Sequence, residues 1–183
     1  MQNDYQLTKS ELREQKLSKQ EYKVKEKNSI IVILDNPKNF YNVGQIIRTL
    51  EAFRVQKLII AGKDESILKT KKVKTSSLGL EKWLDIDFCK SSLDAIEDLK
   101  KRSYKIYAVE LTKYAKVYCN VSLEQPTVLV FGNEAIGLDD AVIQQCDASL
   151  YIPINGMANS LNLSISVGIV VASLLRDFGE CSI

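Results

Sequence analysis

Two rhythms of apolar residues run along the chain. Ile30-Ile31-Val32-Ile33-Leu34 and Thr127-Val128-Leu129-Val130-Phe131 are nearly unbroken apolar runs, the pattern of strands buried on both faces. Lys57 to Ala61 predicts a second strand, ending at Gly62. After the first strand, Asp35-Asn36-Pro37-Lys38-Asn39 is turn chemistry. A helix is expected from Asn42, with Gln45 at the capping-box position and Ile46, Leu50 and Phe53 as its core stripe. A loop rich in Lys, Thr and Ser then runs through Ser77-Leu78-Gly79. Further on, the pattern predicts a short strand near Trp83–Cys89, a helix from Ser91 to Arg102 and a strand from Tyr104 to Val109. A helix over Leu138–Gln145 and a last strand over Ser149–Pro153 follow. Strands alternating with helices imply an α/β domain, a mostly parallel sheet flanked by helices. Ser160 to Val167 alternates polar and apolar with period two, as a strand does, whereas Gly168 to Arg176 reads as a buried helix. Periodicity does not choose between them.

Residues 7–27 have few apolar positions and many charges. Thr8-Lys9-Ser10-Glu11 is a capping box, with Leu7 and Leu12 spaced as a hydrophobic staple. This predicts a short helix on a mobile, charged N-terminal arm, residues 1–28, with the compact domain over 29–183.

The length of 183 residues fits one full domain. No apolar stretch is long enough to span a membrane, and the first residues are polar. A cytoplasmic protein is expected. Cys89, Cys119, Cys146 and Cys181 are far apart and form no zinc spacing, so reduced, mostly buried thiols are expected. The chain has no histidine. That excludes histidine bases, Ser-His-Asp and Cys-His nucleophile systems, and histidine metal sites. Chemistry must come from Arg, Lys, Asp, Glu, Asn, Ser, Tyr and backbone groups. The net charge is only +2, but Lys69, Lys71, Lys72 and Lys74 cluster, as do Lys100, Lys101, Arg102 and Lys105. Such clusters serve phosphate contacts or simply form a solvated face.

Three constellations carry candidate chemistry. In Asn42-x-Gly44-x-x-x-Arg48, helical angle puts Arg48 on the Gln45 and Ala52 face, away from the core stripe. There a guanidinium would sit at a strand-to-helix edge, where open α/β sheets bind ligands. Gly132-x-Glu134-x-x-Gly137 joins a buried strand to a helix. A phosphate loop is disfavoured, because Glu134, Asp139 and Asp140 would repel a pyrophosphate; a ligand with a cationic centre, such as a sulfonium, suits it better. Ile152-Pro153-Ile154 followed by Ser160-Leu161-Asn162 combines a strand end, a turn and a polar helix start.

In order and spacing these segments resemble the SpoU (TrmH-like) family of the SPOUT methyltransferases. The family's N-x-G-x-x-x-R, G-N-E-x-x-G-L and I-P-(x)n-S-L-N-x-S motifs match Asn42–Arg48, Gly132–Leu138, and Ile152-Pro153 with Ser160–Ser164. Lys74-Thr75-Ser76-Ser77-Leu78-Gly79 looks like a K-T-x-x-x-G segment of some members. Ala135 stands where glycine is frequent and Leu163 where valine is; neither removes a functional group. The likeness covers residues 29–177. It implies a SPOUT fold with a C-terminal deep trefoil knot, residues 160–177 as a helix, and a homodimer. It implies an RNA ribose 2′-O-methyltransferase using S-adenosylmethionine, with S-adenosylhomocysteine as product and no metal, acting on tRNA or rRNA.

Carried onto this chain, the resemblance makes Arg48, Glu134 and Asn162 catalytic. The cofactor would be held by Gly132, Asn133, Glu134, Gly137, Ile152, Ile154, Ser160 and Leu161. RNA would meet Asn42, Arg48, Lys71, Lys72 and Lys74. Guanidinium stays protonated in proteins, so Arg48 is expected to bind the phosphate beside the target ribose rather than act as a base. Glu134 would shape the cofactor loop and counter the sulfonium, and Asn162 would fix the ribose or the backbone. The rival readings are an RNA-binding homologue without transfer, a base-modifying SPOUT enzyme, and a Rossmann-like nucleotide binder. The last should carry an early G-x-G-x-x-G, which is absent.

Overall fold

A computed structural model describes residues 6–178. Seven strands form one sheet: β1 (Asn28–Asp35), β2 (Val55–Ala61), β3 (Ile86–Cys89), β4 (Lys105–Val109), β5 (Lys116–Val117), β6 (Thr127–Phe131) and β7 (Ala148–Tyr151). Their order is β3-β2-β1-β6-β4-β7-β5, and every pairing is parallel. Parallel strands need covered faces. Alternate residues of β1 therefore enter two different cores. Ile30, Val32 and Leu34 pack under α3 (Phe40–Ala52), α4 (Lys71–Ser77) and α7 (Leu163–Asp177). Ile31 and Ile33 pack under α5 (Ser92–Lys101) and α6 (Asp140–Gln144). The α/β expectation holds: Thr127–Phe131 is a strand with the expected ends, and the other expected strands are present with one or both ends shifted by a few residues.

The differences have local causes. The α3 helix starts at Phe40 because Asn39, not Asn42, caps it, its side chain accepting from Tyr41 N. Asn42 then lies inside the helix and is buried. Of the expected core stripe, Ile46 and Leu50 are buried, joined by Val43 and Ile47, while Phe53 is the partly buried C-cap. The stretch expected as a loop holds α4, capped by Thr70 and ended by Leu78 in a left-handed conformation. Its closeness to α3 depends on Gly44: a Cβ there would lie 1.9 Å from Ser76 Oγ and 2.7 Å from the Val73 carbonyl oxygen. The period-two segment 160–167 is a turn followed by helix, since the Asn162 side chain accepts from Ser164 N and caps α7.

The arm carries two short helices, α1 (Lys9–Glu14) and α2 (Lys19–Val24), each opened by a capping box, Thr8/Glu11 and Ser18/Glu21. Nothing in α1 is buried. The second helix is fastened to the domain. Tyr22 meets Trp83 edge-on at 5.2 Å, and Arg54 lies 4.6 Å over the Tyr22 ring while donating to the carbonyls of Tyr22, Lys25 and Glu26. Cys89, Cys119 and Cys146 are free thiols; Cys119 is exposed and the other two half-buried, against the expectation of mostly buried thiols. Burial pushes the Cys146 thiol up to about 12. Cys181 lies outside the described residues. Among the described residues no helix is long and apolar enough to cross a membrane.

Candidate active site

The functional residues gather at the C-terminal ends of the central strands, where parallel α/β sheets place their ligand crevices. Strand β6 ends at Phe131, and the chain turns back on itself at once. Asn133 and Gly137 exchange backbone hydrogen bonds of 3.1 and 2.9 Å. Gly132 has no room for a side chain, since a Cβ would lie 2.3 Å from the Gly137 carbonyl carbon. The turn is stiffened internally by Ala135 N donating to Asn133 Oδ1 at 2.9 Å.

This turn is bolted to the loop after β1. Asn133 Nδ2 donates to the Asn36 carbonyl at 2.7 Å. The Glu134 carboxylate accepts from Lys38 N at 2.9 Å, Asn39 N at 3.1 Å and Asn42 Nδ2 at 3.0 Å. Burial pushes the Glu134 carboxyl up. The N–H donors of Lys38, its own backbone, Asn42 and Asn39 outweigh that and hold it below its ordinary value. An anion at the start of α3 also complements the helix dipole. The carboxylate expected to face a sulfonium thus has its main partners within the protein.

Asn42 continues the network. Its Oδ1 accepts from Asn162 Nδ2 at 3.0 Å. Asn162 Oδ1 in turn accepts from Ser164 N at 2.8 Å. The Ser164 hydroxyl lies 2.7 Å from Asn162 Oδ1 and 2.9 Å from Gln45 Oε1, and its one hydrogen serves one of them at a time. Gln45, expected to close a capping box, instead faces α7. Glu134, Asn42, Asn162, Ser164 and Gln45 therefore form one connected chain of polar side chains.

A cleft of about 1180 Å³ opens beside this chain. All eight residues expected to hold the cofactor line it: Gly132, Asn133, Glu134, Gly137, Ile152, Ile154, Ser160 and Leu161. Asn42 and Asn162 line it too. Small-molecule clefts combine apolar walls with a few placed polar groups, which fits adenosine and a methionine tail. Phe131, Ile152, Leu161 and Leu163 supply apolar wall, and Gly132 lets backbone come close. Sequence reasoning missed the wall from Val109 to Lys113, including Glu110. A lone acid after a strand gives no signal in the sequence.

Arg48 is not in this cleft. It is exposed and lines an adjoining groove of about 440 Å³ with Gln45, Thr75, Ser76, Leu78, Ser164 and Ile165. The two cavities share the first turn of α7, where Ser164 belongs to the groove and Leu163 and Ser166 to the cleft. Lys71, Lys72 and Lys74 are exposed on α4, beside the groove, and none is in an ion pair among the described residues. Asn42, expected to touch RNA, is 3% exposed with both ends of its amide engaged inside. The second basic cluster, Lys100 to Lys105, sits where α5 enters β4, at the opposite end of the sheet from the cleft. There Lys101 pairs with Glu97 at 2.8 Å and Arg102 lies over Tyr104.

The SpoU rRNA Methylase family matches residues 29–172. A tRNA (guanosine(18)-2′-O)-methyltransferase of Aquifex aeolicus is 32% identical over 156 residues, 85% of this chain and 73% of that protein. The crystal structure of the A. aeolicus TrmH/SpoU tRNA modifying enzyme superposes with a TM-score of 0.78 at 32% identity, covering 87% of this chain and 80% of that one. An AdoMet-bound rRNA methyltransferase from Sinorhizobium meliloti superposes with a TM-score of 0.75 at 27% identity, covering 82% of this chain and 57% of that one. With that match over most of its length, and the three motifs meeting around one cleft, the chain belongs to the SpoU rRNA methylase family.

Proposed function

We propose that the protein is an S-adenosylmethionine-dependent RNA ribose 2′-O-methyltransferase, its cofactor in the Gly132–Leu163 cleft and its RNA across the Arg48 groove. The observation that carries this reading is the Asn42 amide, which joins the Glu134 turn to the Asn162 turn in the wall of the cleft. When bound, the cofactor supplies an activated methyl group and a neutral leaving group.

The chain's own part is alignment, dryness and charge placement. Gly132 to Gly137 and Ile152 to Leu161 hold adenosine against backbone and apolar wall. Glu134 sets the height of that turn by gripping Lys38 N and Asn39 N. Asn162 fixes the start of α7, so Ser164 and Ser166 keep their positions between cofactor and RNA. Arg48 binds the phosphate beside the target ribose and turns its 2′-hydroxyl toward the cleft. In-line alignment of this kind is worth roughly 7–11 kcal/mol. A substrate phosphate oxygen or water accepts the proton, since guanidinium does not. Lys71, Lys72 and Lys74 extend the phosphate path along α4 and add affinity with little sequence information.

The reading includes a knot and a homodimer. The all-parallel order and the shared cleft of segments 132–138 and 152–163 support threading of the C-terminal segment. Leu78 and Ile165 in the Arg48 groove, Leu161 in the cleft and Tyr41 on α3 are apolar yet 63%, 54%, 37% and 48% exposed, which supports a second copy packing beside the groove and leaving it open to RNA. The dimer would have a doubled mass in sedimentation equilibrium. The cytoplasm, where RNA and cofactor meet, is its place of work.

The test is transfer of labelled methyl from S-adenosylmethionine to total tRNA and rRNA, with 2′-O-methyl sites mapped afterwards. Label on a ribose supports the reading. Label on a base selects the base-modifying alternative. Cofactor and RNA binding without transfer selects the inactive homologue.

A further inference from the structure

Besides Glu134 and Asp140 the cleft wall holds the carboxylate of Glu110, whose hydrogen bonding differs from that of Glu134. Glu110 follows the last residue of β4 and is half-buried in the wall of the cleft. Its Oε1 accepts from Leu111 N at 2.9 Å and its Oε2 from Leu138 N at 3.2 Å. Oε2 also lies 2.5 Å from where a side chain on Gly137 would begin, so the carboxylate rests directly on the glycine turn. A carboxylate offers about four acceptor sites. Among the described residues Glu110 uses two, one on each oxygen. Glu134 has three protein donors of its own and is tied to the α3 start.

Position narrows what Glu110 meets. In the sheet β6 stands between β1 and β4. The Asn42–Asn162 pair and the Arg48 groove belong to the β1–α3 side. Glu110, two strand spacings away, sits roughly 10 Å across the cleft. The reacting methyl has to face the RNA at the Arg48 end. The far end therefore receives a part of the cofactor that does not react. A carboxylate with one spare acceptor site on each oxygen suits a pair of neighbouring neutral donors.

We infer that Glu110 is a binding residue for the cofactor's ribose diol, accepting from the 2′- and 3′-hydroxyls while bracing the Gly132–Leu138 turn through Leu138 N. This rests on the methyltransferase reading of the cleft and adds to it the group that selects an adenosine ribose. A hydrogen bond to a charged group left unmade costs enough to lower affinity roughly 10- to 100-fold.

The experiment is calorimetric binding of S-adenosylhomocysteine and its 2′-deoxy and 3′-deoxy analogues to wild type, Glu110→Gln and Glu110→Ala. Gln keeps an acceptor for Leu138 N and nearly the same volume, so it separates recognition from bracing. The expected result is a loss of about 10-fold or more for the parent ligand in Glu110→Gln, with little further loss for the deoxy analogues. Wild type should discriminate against those analogues and the variant should not. Equal loss for all three ligands, or none, overturns the inference and leaves Glu110 as a brace alone. Failure of wild type to bind S-adenosylhomocysteine at all would instead remove the reading beneath it, and the Glu110 inference with it.

Discussion

The Asn162 side-chain amide donates to Asn42 across 120 positions of sequence, at 3.0 Å. The same Asn42 donates its own N–H to Glu134, 92 positions away. One buried amide thereby fixes the distance between the two turns that line the cleft. Replacing it by alanine leaves Asn162 Nδ2 and one Glu134 oxygen each a partner short. Both of those groups sit on exposed residues, so water takes the missing place and each lost bond costs about 0.5–1.5 kcal/mol net. Asn42→Ala is expected to lower stability by about that amount in urea unfolding and to weaken S-adenosylhomocysteine binding in parallel. An Asn42→Ala protein with wild-type stability and affinity would refute the bridge.

Glu134 makes the bridge sensitive to acid. Its carboxyl is held below its ordinary value of 4.5 by the donors on Lys38, its own backbone, Asn42 and Asn39, against the upward push of burial. A group depressed in the folded state stabilises the protein fully above the unfolded value. That contribution disappears as pH falls through the lower folded value. Wild type should therefore lose stability below about pH 4.5 more steeply than Glu134→Gln, with parallel curves above it. Unfolding measured from about pH 6 to about pH 3 checks this, and identical slopes in the acid limb would count against the charged network.

Much of this was readable in the chain. The buried runs at Ile30–Leu34 and Thr127–Phe131 announced the central strands, and the spaced motifs contain eight residues that line one cleft. Other features could not be read locally. The α4 segment buries only Val73 and Ser77, so no apolar stripe marks a helix; close packing against Gly44 accompanies its helical form. Residues 160–167 alternate like a strand because a capping asparagine and the first helical turn happen to fall in that order. The resemblance put Asn42 against RNA, and the distant partners that hold its amide inside, Glu134 and Asn162, leave no local signal. Glu110 carried no pattern at all.

Arg48 is the cleanest test of function apart from folding. It is exposed on α3 and lines the groove rather than the Gly132–Leu163 cleft. Arg48→Ala should leave stability within about 0.5 kcal/mol of wild type. Cofactor affinity should stay the same, while methyl transfer falls by about 100-fold or more through lost alignment. Arg48→Lys keeps the charge but not the planar fork and should recover only a small part. Joint loss of cofactor binding would break the proposed division of labour.

The lysines of α4 make a salt-dependent prediction. Lys71, Lys72 and Lys74 face solvent beside the Arg48 groove. Each phosphate contact contributes a slope of roughly 0.7–0.9 to the dependence of binding on salt. Changing all three to alanine should flatten the slope of log affinity against log salt by about two and weaken every RNA similarly. Cofactor affinity should be unaffected. An unchanged slope would take α4 off the RNA path.

Gly44 connects the lysines to the active site, because it sets how closely α4 lies on α3. In Gly44→Ala the new Cβ meets Ser76 Oγ at 1.9 Å and the Val73 carbonyl oxygen at 2.7 Å unless the helices part. Overpacking of this kind costs about 1–3 kcal/mol. Removing the hydroxyl in a Gly44→Ala/Ser76→Ala double variant relieves the first contact and leaves the second, since that is backbone. The double variant should regain part of the lost stability, but not all. In both, α4 moves away from α3 and takes Thr75 and the lysines with it, widening the groove in front of Arg48. RNA affinity should drop while S-adenosylhomocysteine binding in the neighbouring cleft holds. Were Gly44→Ala as stable as wild type, or were cofactor affinity the first thing lost, the contact between α3 and α4 would not be what sets the width of the RNA groove.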